Sequence, residues 1–190
     1  SGILWIGTYN GPMAYDNRVR RLLHYDINDE LSTRVYSFCE DNEGKLWIGT
    51  GEGLVGFDMS TKNTVSYTES DGLPSNAITN ILPADDGSLW ISTLNGMSRF
   101  HIRSEEFKNY YQYDGLQENE FHVNASMKDR DGRLWFGGIQ GITSFFPHIV
   151  DQGSHPVPPL HLSNLTVMNR PIDYDPSLGD GNILDKHITK

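Results

Sequence analysis

The residues that could do chemistry are plentiful in this chain, but their spacing supports no reaction. Seven histidines (His24, His101, His122, His148, His155, His161 and His187) lie too far apart in sequence to repeat any metal-ligand spacing. Asp85-Asp86 and Asp129-x-Asp131-Gly132 are carboxylate pairs, each in a predicted hairpin turn. Asp in such turns accepts main-chain N–H bonds, and that role is preferred here over general acid–base work. The ligands that would complete an EF-hand calcium loop around Asp129 and Asp131 are missing. No nucleophile elbow or Ser-His-Asp order occurs. The glycines cluster in Asn-Glu-Gly and Asp-Gly turns, not in a phosphate loop ahead of a helix. Cys39, the single cysteine, ends the run Val35-Tyr36-Ser37-Phe38-Cys39 and reads as a small buried hydrophobe in a strand. The expectation is no catalytic residue, no metal and no cofactor.

The elements that carry these residues follow from a repeat. Trp5, Trp47, Trp90 and Trp135 are 42, 43 and 45 residues apart, and each follows a leucine. Six residues after each comes a glycine (Gly11, Gly53, Gly96, Gly141), and ten after comes an aromatic (Tyr15, Phe57, Phe100, Phe145). Twenty after the first three comes a tyrosine (Tyr25, Tyr67, Tyr110), and twenty-six after comes a leucine (Leu31, Leu73, Leu116). A segment such as Leu46-Trp47-Ile48-Gly49 is a short apolar run, as expected for a strand covered on both faces. Asn42-Glu43-Gly44, Asp85-Asp86-Gly87 and Asp131-Gly132 supply the hairpin turns before it. Each unit is therefore a four-stranded antiparallel meander, strands a to d, which needs neighbouring sheets to bury its two faces.

The tally is three strands, then four, four and three, for 14 in all. The fold class is all-β: a partial β-propeller of about three and a half four-stranded antiparallel blades, plus an incomplete immunoglobulin-like segment. The propeller fragment spans 1–147, with blades around 1–31, 32–73, 74–116 and 117–147. A closed ring needs at least four blades, so the expectation is a piece of a longer propeller or open ends covered by another copy. Pro147, Pro156, Pro158 and Pro159 mark a linker over 148–159. Beyond it, Leu160 to Val167 alternates as a strand and Asn169-Arg170-Pro171 reads as a turn.

Composition narrows the partners. There are 15 Lys and Arg against 25 Asp and Glu, a formal net charge of −10. That argues against nucleic acid and anionic membranes, which attract a positive field, and suits a neutral or cationic partner. No stretch approaches the ~18 apolar residues of a membrane span.

These residues resemble a known family. Leu46 to Thr50, Gly53-Leu54 and Phe57-Asp58 look like the two-component regulator propeller repeat, and Phe121 to Pro147 resembles the last blade of such propellers. Pro158 to Asn169 and Ile183 to Ile188 are similar to the start of the following immunoglobulin-like YYY module, placed at 160–190. Ser92 for glycine, Pro12 for leucine and His101 for aspartate are departures within blades. The resemblance implies a periplasmic sensor region of an inner-membrane hybrid two-component receptor. Such a receptor is homodimeric, carries a histidine kinase and often a response regulator, and senses carbohydrate, often an oligosaccharide. The missing blades and the YYY module of the same receptor would be this fragment's partners.

In propeller geometry the b–c and d–a connections share the top face. Candidate ligand-binding residues there are Tyr9, Asn10, Asn95 and Gln140 in b–c loops, and Asn76, Gln117, Asn119 and Glu120 in d–a loops. The stretch from each landmark leucine to the next Trp varies, at 16, 17 and 19 residues, and variation on one face of a scaffold is where recognition develops. The plainer reading is that these are ordinary polar loop residues. Two other functions compete with a sensor. One is a propeller lyase or glycosidase with Glu118 and Glu120 as carboxylates. The other is a structural or dimerising propeller.

Overall fold

The computed structural model describes residues 2–24, 34–150, 165–167 and 170–172. The chain divides into two compact units, Ser1–Gln152 and Gly153–Lys190.

The first unit holds four antiparallel sheets. The first is β1 (Ile3–Thr8), β2 (Gly11–Asp16) and β3 (Arg21–His24). The second is β4 (Val35–Glu40), β5 (Lys45–Thr50), β6 (Leu54–Asp58) and β7 (Thr64–Tyr67). The third is β8 (Ile78–Pro83), β9 (Ser88–Thr93), β10 (Gly96–His101) and β11 (Glu106–Tyr110). The fourth is β12 (Phe121–Lys128), β13 (Leu134–Gly138) and β14 (Gly141–Phe145), followed by the single turn α1 (Pro147–Val150). Strands neighbour one another in chain order, so each sheet is a meander, and their sizes match the expected tally among the described residues. The sheets are blades of an open propeller arc.

The repeat landmarks meet across blades. Trp5 lies edge-on to Phe57 at 6.5 Å, Trp47 edge-on to Phe100 at 5.3 Å, and Trp90 against Phe145 at 4.4 Å. Each tryptophan thus packs on the aromatic ten residues past the next tryptophan, a ring pair favoured beyond its buried area. The tyrosine landmark completes the layer, with Trp47 6.2 Å from Tyr67 and Trp90 stacked at 5.3 Å on Tyr110. Trp47 and Trp90 are each 1% exposed, whereas Trp5 and Trp135 are half-buried. The difference follows from position, because only the middle two blades are covered on both faces. Leu4 and Leu22 on the first sheet and Met127 and Ile142 on the last remain exposed.

The turns between strands a and b share one device in two blades. Asp41 Oδ1 accepts the N–H of Glu43 and Lys45, and its Oδ2 accepts the Trp47 indole N–H at 2.8 Å. Asp129 does the same with Asp131, Arg133 and the Trp135 indole, at 2.9 Å for the last. These bonds, the indole's foremost, hold the Asp129 carboxyl below the usual carboxylate range. The third blade has Ala84 at this place, and Trp90 Nε1 is buried without a hydrogen-bond partner among the described residues. Its turn is held instead by Asp86, which accepts from Ser88 and pairs with the buried Arg99. An unpaired buried N–H costs about 1–3 kcal/mol. Ala84→Asp should therefore raise the unfolding free energy at pH 7 by about 1 kcal/mol, measured by urea denaturation. A carboxyl lowered in the folded state stabilises above its unfolded pKa, so the gain should fade as the pH drops below about 4. No gain at pH 7, or a gain that persists at pH 2, would refute the account.

Cys39 is buried, as its strand setting suggested, and burial foremost, with Asp41 and Glu40 adding, pushes its thiol up to about 12. The thiolate is the reactive form. Native protein at pH 8 should leave a thiol reagent unconsumed until denaturant is added; prompt reaction would contradict the burial.

In the second unit, β15 (Leu165–Val167) pairs antiparallel with β16 (Arg170–Ile172). This corrects the turn expected at Asn169-Arg170-Pro171. Arg170 and Pro171 are strand residues, opposite Val167 and Thr166. Proline is compatible with such a two-strand edge because its missing N–H need not join a ladder. Of the linker expected over 148–159, residues 148–150 form the end of α1; its residues 151–159, the expected strand residues 160–164 and the tail 173–190 lie outside the described residues.

Candidate functional site

The b–c turns are braced by their own hydrogen bonds. Thr8, Thr50 and Thr93 each donate a hydroxyl to the carbonyl three residues on, at 2.7, 2.8 and 2.8 Å. Each also accepts the N–H two residues on, from Asn10, Glu52 and Asn95. The fourth blade has Gly138 in place of the threonine, and Gln117 takes over. Its Oε1 accepts from Gln140 N at 2.7 Å, and its Nε2 donates to Glu120 O at 3.3 Å. A side chain on Gly138 would meet Gln117 Nε2, so the two substitutions belong together.

The d–a loops are also self-braced. Asn76 Oδ1 accepts from Glu69 N at 2.7 Å while Glu69 Oε1 accepts from Asn76 N at 2.9 Å. One blade on, Asn119 Oδ1 accepts from Gln112 N at 2.7 Å. Both asparagines thus clamp a single 3-10 turn, Glu69–Asp71 or Gln112–Asp114, whose end is a left-handed glycine. The sequence did carry this signal, in Asp71-Gly72-Leu73-x-x-Asn76 and Asp114-Gly115-Leu116-x-x-Asn119.

The length variation lies elsewhere than in these loops. From landmark leucine to strand a is the same distance in both, Leu73 to Ile78 and Leu116 to Phe121. The two extra residues fall inside β12. Strands β4 and β8 each have a one-residue bulge, between Val35 and Ser37 and between Ile78 and Asn80. In β12 the register jumps between Phe121 and Ser126 while β13 advances only from Gly138 to Phe136. Asn124 sits in this bulge at φ 58°, a conformation asparagine tolerates better than most residues. Bulges in these innermost strands re-aim side chains toward the propeller axis.

There the strands enclose a groove of about 520 Å³. Trp5 from the first blade, Tyr36, Ser37 and Phe38 from β4, Asn80 from β8, and Asn124 from β12 line it. Asn80 is buried and fixed, donating to Ser92 Oγ at 3.0 Å and to His122 O at 2.8 Å. Beyond this lining, and joined to it through Tyr36, is an exposed pair, here called the groove's head: Tyr9 is 71% exposed and has the Arg34 guanidinium 3.9 Å from its ring centroid. Tyr36 lies on the same guanidinium at 5.7 Å. The volume falls within the usual range for small-ligand sites, and aromatic walls with a few fixed polar groups suit a sugar.

The eight sequence candidates divide accordingly. Gln117, Glu120 and Gln140 come together at the top of the fourth blade, where Gln140 Nε2 also donates to Glu118 Oε2 at 3.1 Å. Asn95 adjoins Asn119 through the bond from Gly96 N to Asn119 O at 2.7 Å. Asn76 and Asn119 spend their side-chain oxygens on the loop itself. Tyr9, with Asn10 beside it, is the candidate that reaches the groove's head. Arg34, Tyr36, Asn80 and Asn124 were missed. Tyr36 and Asn124 both stand eleven residues before a landmark tryptophan, and the trace the β12 bulge leaves in the sequence is the longer stretch from Leu116 to Trp135.

The two-component regulator propeller model matches residues 29–52 and 72–95. None of the curated proteins matches this sequence. Among solved structures, the extracellular domain of the hybrid two-component system BT3049 of B. thetaiotaomicron is 25% identical with a TM-score of 0.72; the match covers 90% of this chain and 25% of that one. The extracellular domain of hybrid two-component system BT4673 from the same organism is 22% identical with a TM-score of 0.64, over 77% of this chain and 20% of that one. PorZ, a surface component of the type-IX secretion system of Porphyromonas gingivalis, is 18% identical with a TM-score of 0.58, over 80% of this chain and 24% of that one. The last two are likenesses of fold. This chain spans about a quarter of the length of the first of these structures.

Proposed function

We infer, from a chain that carries two-component regulator propeller repeats, that it is a non-catalytic part of the ligand-sensing region of a hybrid two-component receptor. The region is extracytoplasmic, in the periplasm, and relays ligand binding toward a histidine kinase through a YYY module in the second unit. The ligand is a carbohydrate, an oligosaccharide. The observation that carries this reading is the axial groove. It has aromatic walls, the hydrogen-bonded amide of Asn80 and a rim of loops braced by their own hydrogen bonds, which is binding equipment that requires little ordering when a ligand arrives. The likeness to the extracellular domain of a hybrid two-component system supports the cellular setting.

Calorimetry of the intact natural protein against a panel of oligosaccharides tests it. Saturable binding of a panel member without turnover is expected. Turnover of a member would replace the sensor with the enzyme reading, and silence across the panel would leave a structural propeller.

A further inference from the structure

We propose that the head of the axial groove, with Arg34 over Tyr9 and close to Tyr36, binds a saccharide through a carboxylate, so that the ligand is an oligouronide. This rests on the sensor reading above. The chain as a whole is strongly acidic, with a formal net charge of −10. The groove is not, since none of its lining residues is a carboxylate. Among the described residues, Arg34 is the cation beside this lining, through Tyr36, and the exposed His122 lies on the β12 bulge next to Asn124. Glu52 is near in the chain fold, because Gly51 N donates to Arg34 O at 3.1 Å, yet Glu52 and Arg34 form no ion pair among the described residues. An anion would therefore meet attraction here while being repelled by most of the remaining surface. That confines it to this place.

The geometry also favours a planar anion. The Arg34 guanidinium carbon lies 3.9 Å from the centroid of the exposed Tyr9 ring, which holds the cation in place. The guanidinium is a rigid fork that matches the two oxygens of a carboxylate, with shorter and stronger bonds than a neutral donor makes. Trp5, Tyr36 and Phe38 offer flat faces for the sugar ring that bears the carboxylate. Asn124, which also lines the groove, adds an amide for ring hydroxyls.

The test is calorimetry of the intact natural protein with trimers of galacturonate and of mannuronate, matched neutral trimers, and sulfated disaccharides. An oligouronide should bind. Arg34→Gln should weaken it about 10- to 100-fold with an unchanged melting temperature, and Arg34→Lys should restore part of the loss but not all, since a lysine lacks the fork. If Arg34→Gln fails to fold, the Arg34→Lys comparison alone decides, with a loss of at least about threefold expected. Preference for a neutral or sulfated member over the oligouronides overturns the proposal and leaves the sensor reading standing. So does oligouronide binding that both variants leave intact. Silence toward every member removes the sensor reading itself, and this proposal with it.

Discussion

Replacing Trp47 by alanine is expected to lower the unfolding free energy by about 3–5 kcal/mol, enough to threaten folding in a protein of ordinary stability. The residue is 1% exposed and occupies the centre of the layer between the second and third blades. There it meets Phe100, Tyr67 and the core side chains Leu54 and Ile81. Its removal leaves a cavity the width of an indole between two sheets that are pinned along their lengths. It also strands the Asp41 carboxylate that accepts its N–H. Trp5 is the control, since its place in the repeat is equivalent but it is only half-buried. Trp5→Ala should cost roughly half as much or less, because transfer from water scales with the area buried. Urea denaturation of both variants gives the comparison. Equal losses would mean that blade position does not set the contribution of the landmark tryptophan, and the packing scheme would fail.

Gly49→Ala should cost about 2–3 kcal/mol although it adds a single methyl group. Gly49 follows the Trp47-Ile48 pair on β5, against β4 of its own blade and β8 of the next. A Cβ there would lie 2.3 Å from Ser37 Oγ and 2.6 Å from Ile78 Cγ2 of the next blade. The equivalent Gly7 is held in the same way, with its added Cβ 2.8 Å from Val35 O. Glycine at this place is therefore what lets successive innermost strands come together and form the groove wall. Gly44→Ala isolates the other source of cost. It has φ 82° with nothing within 4 Å of the added atom, so only backbone strain remains, about 1 kcal/mol. If Gly49→Ala is combined with Ile78→Ala, the pair should be less destabilising than the sum of the two alone. Strict additivity would show that the blades do not meet there.

The fold could be read from the chain because each landmark is tied to a short-range necessity. Asp-Gly and Asn-Glu-Gly turns need a positive φ, and Gly44, Gly87 and Gly132 adopt 82°, 81° and 83°. The Leu-Trp-Ile run needs cover on both faces, and it has it in the middle blades. Of the candidate site, the loops were legible and the uses of their residues were not. Asn76 and Asn119 looked like recognition residues because a polar side chain in a loop has the same composition whether it faces a ligand or its own backbone. Gln117 was read as one too, and the structure adds that its amide stands where the other blades have a threonine hydroxyl. The extra length before Trp135 was visible as a count, but a count does not say whether the surplus lies in a loop or in a bulge.

The sequence by itself determined the meanders, their number of strands, and the residues that fill the layers between them, since hairpin geometry and the periodic burial of aromatics act within one repeat. Only the tertiary structure decided which tryptophan meets which aromatic, and that the Arg34 guanidinium lies over Tyr9 with Tyr36 close by. It alone also decided that the bulges of β4, β8 and β12 face one groove. Those pairings join residues of different blades, whose mutual angle is fixed by how closely glycines such as Gly49 let the inner strands approach. No local preference encodes that distance.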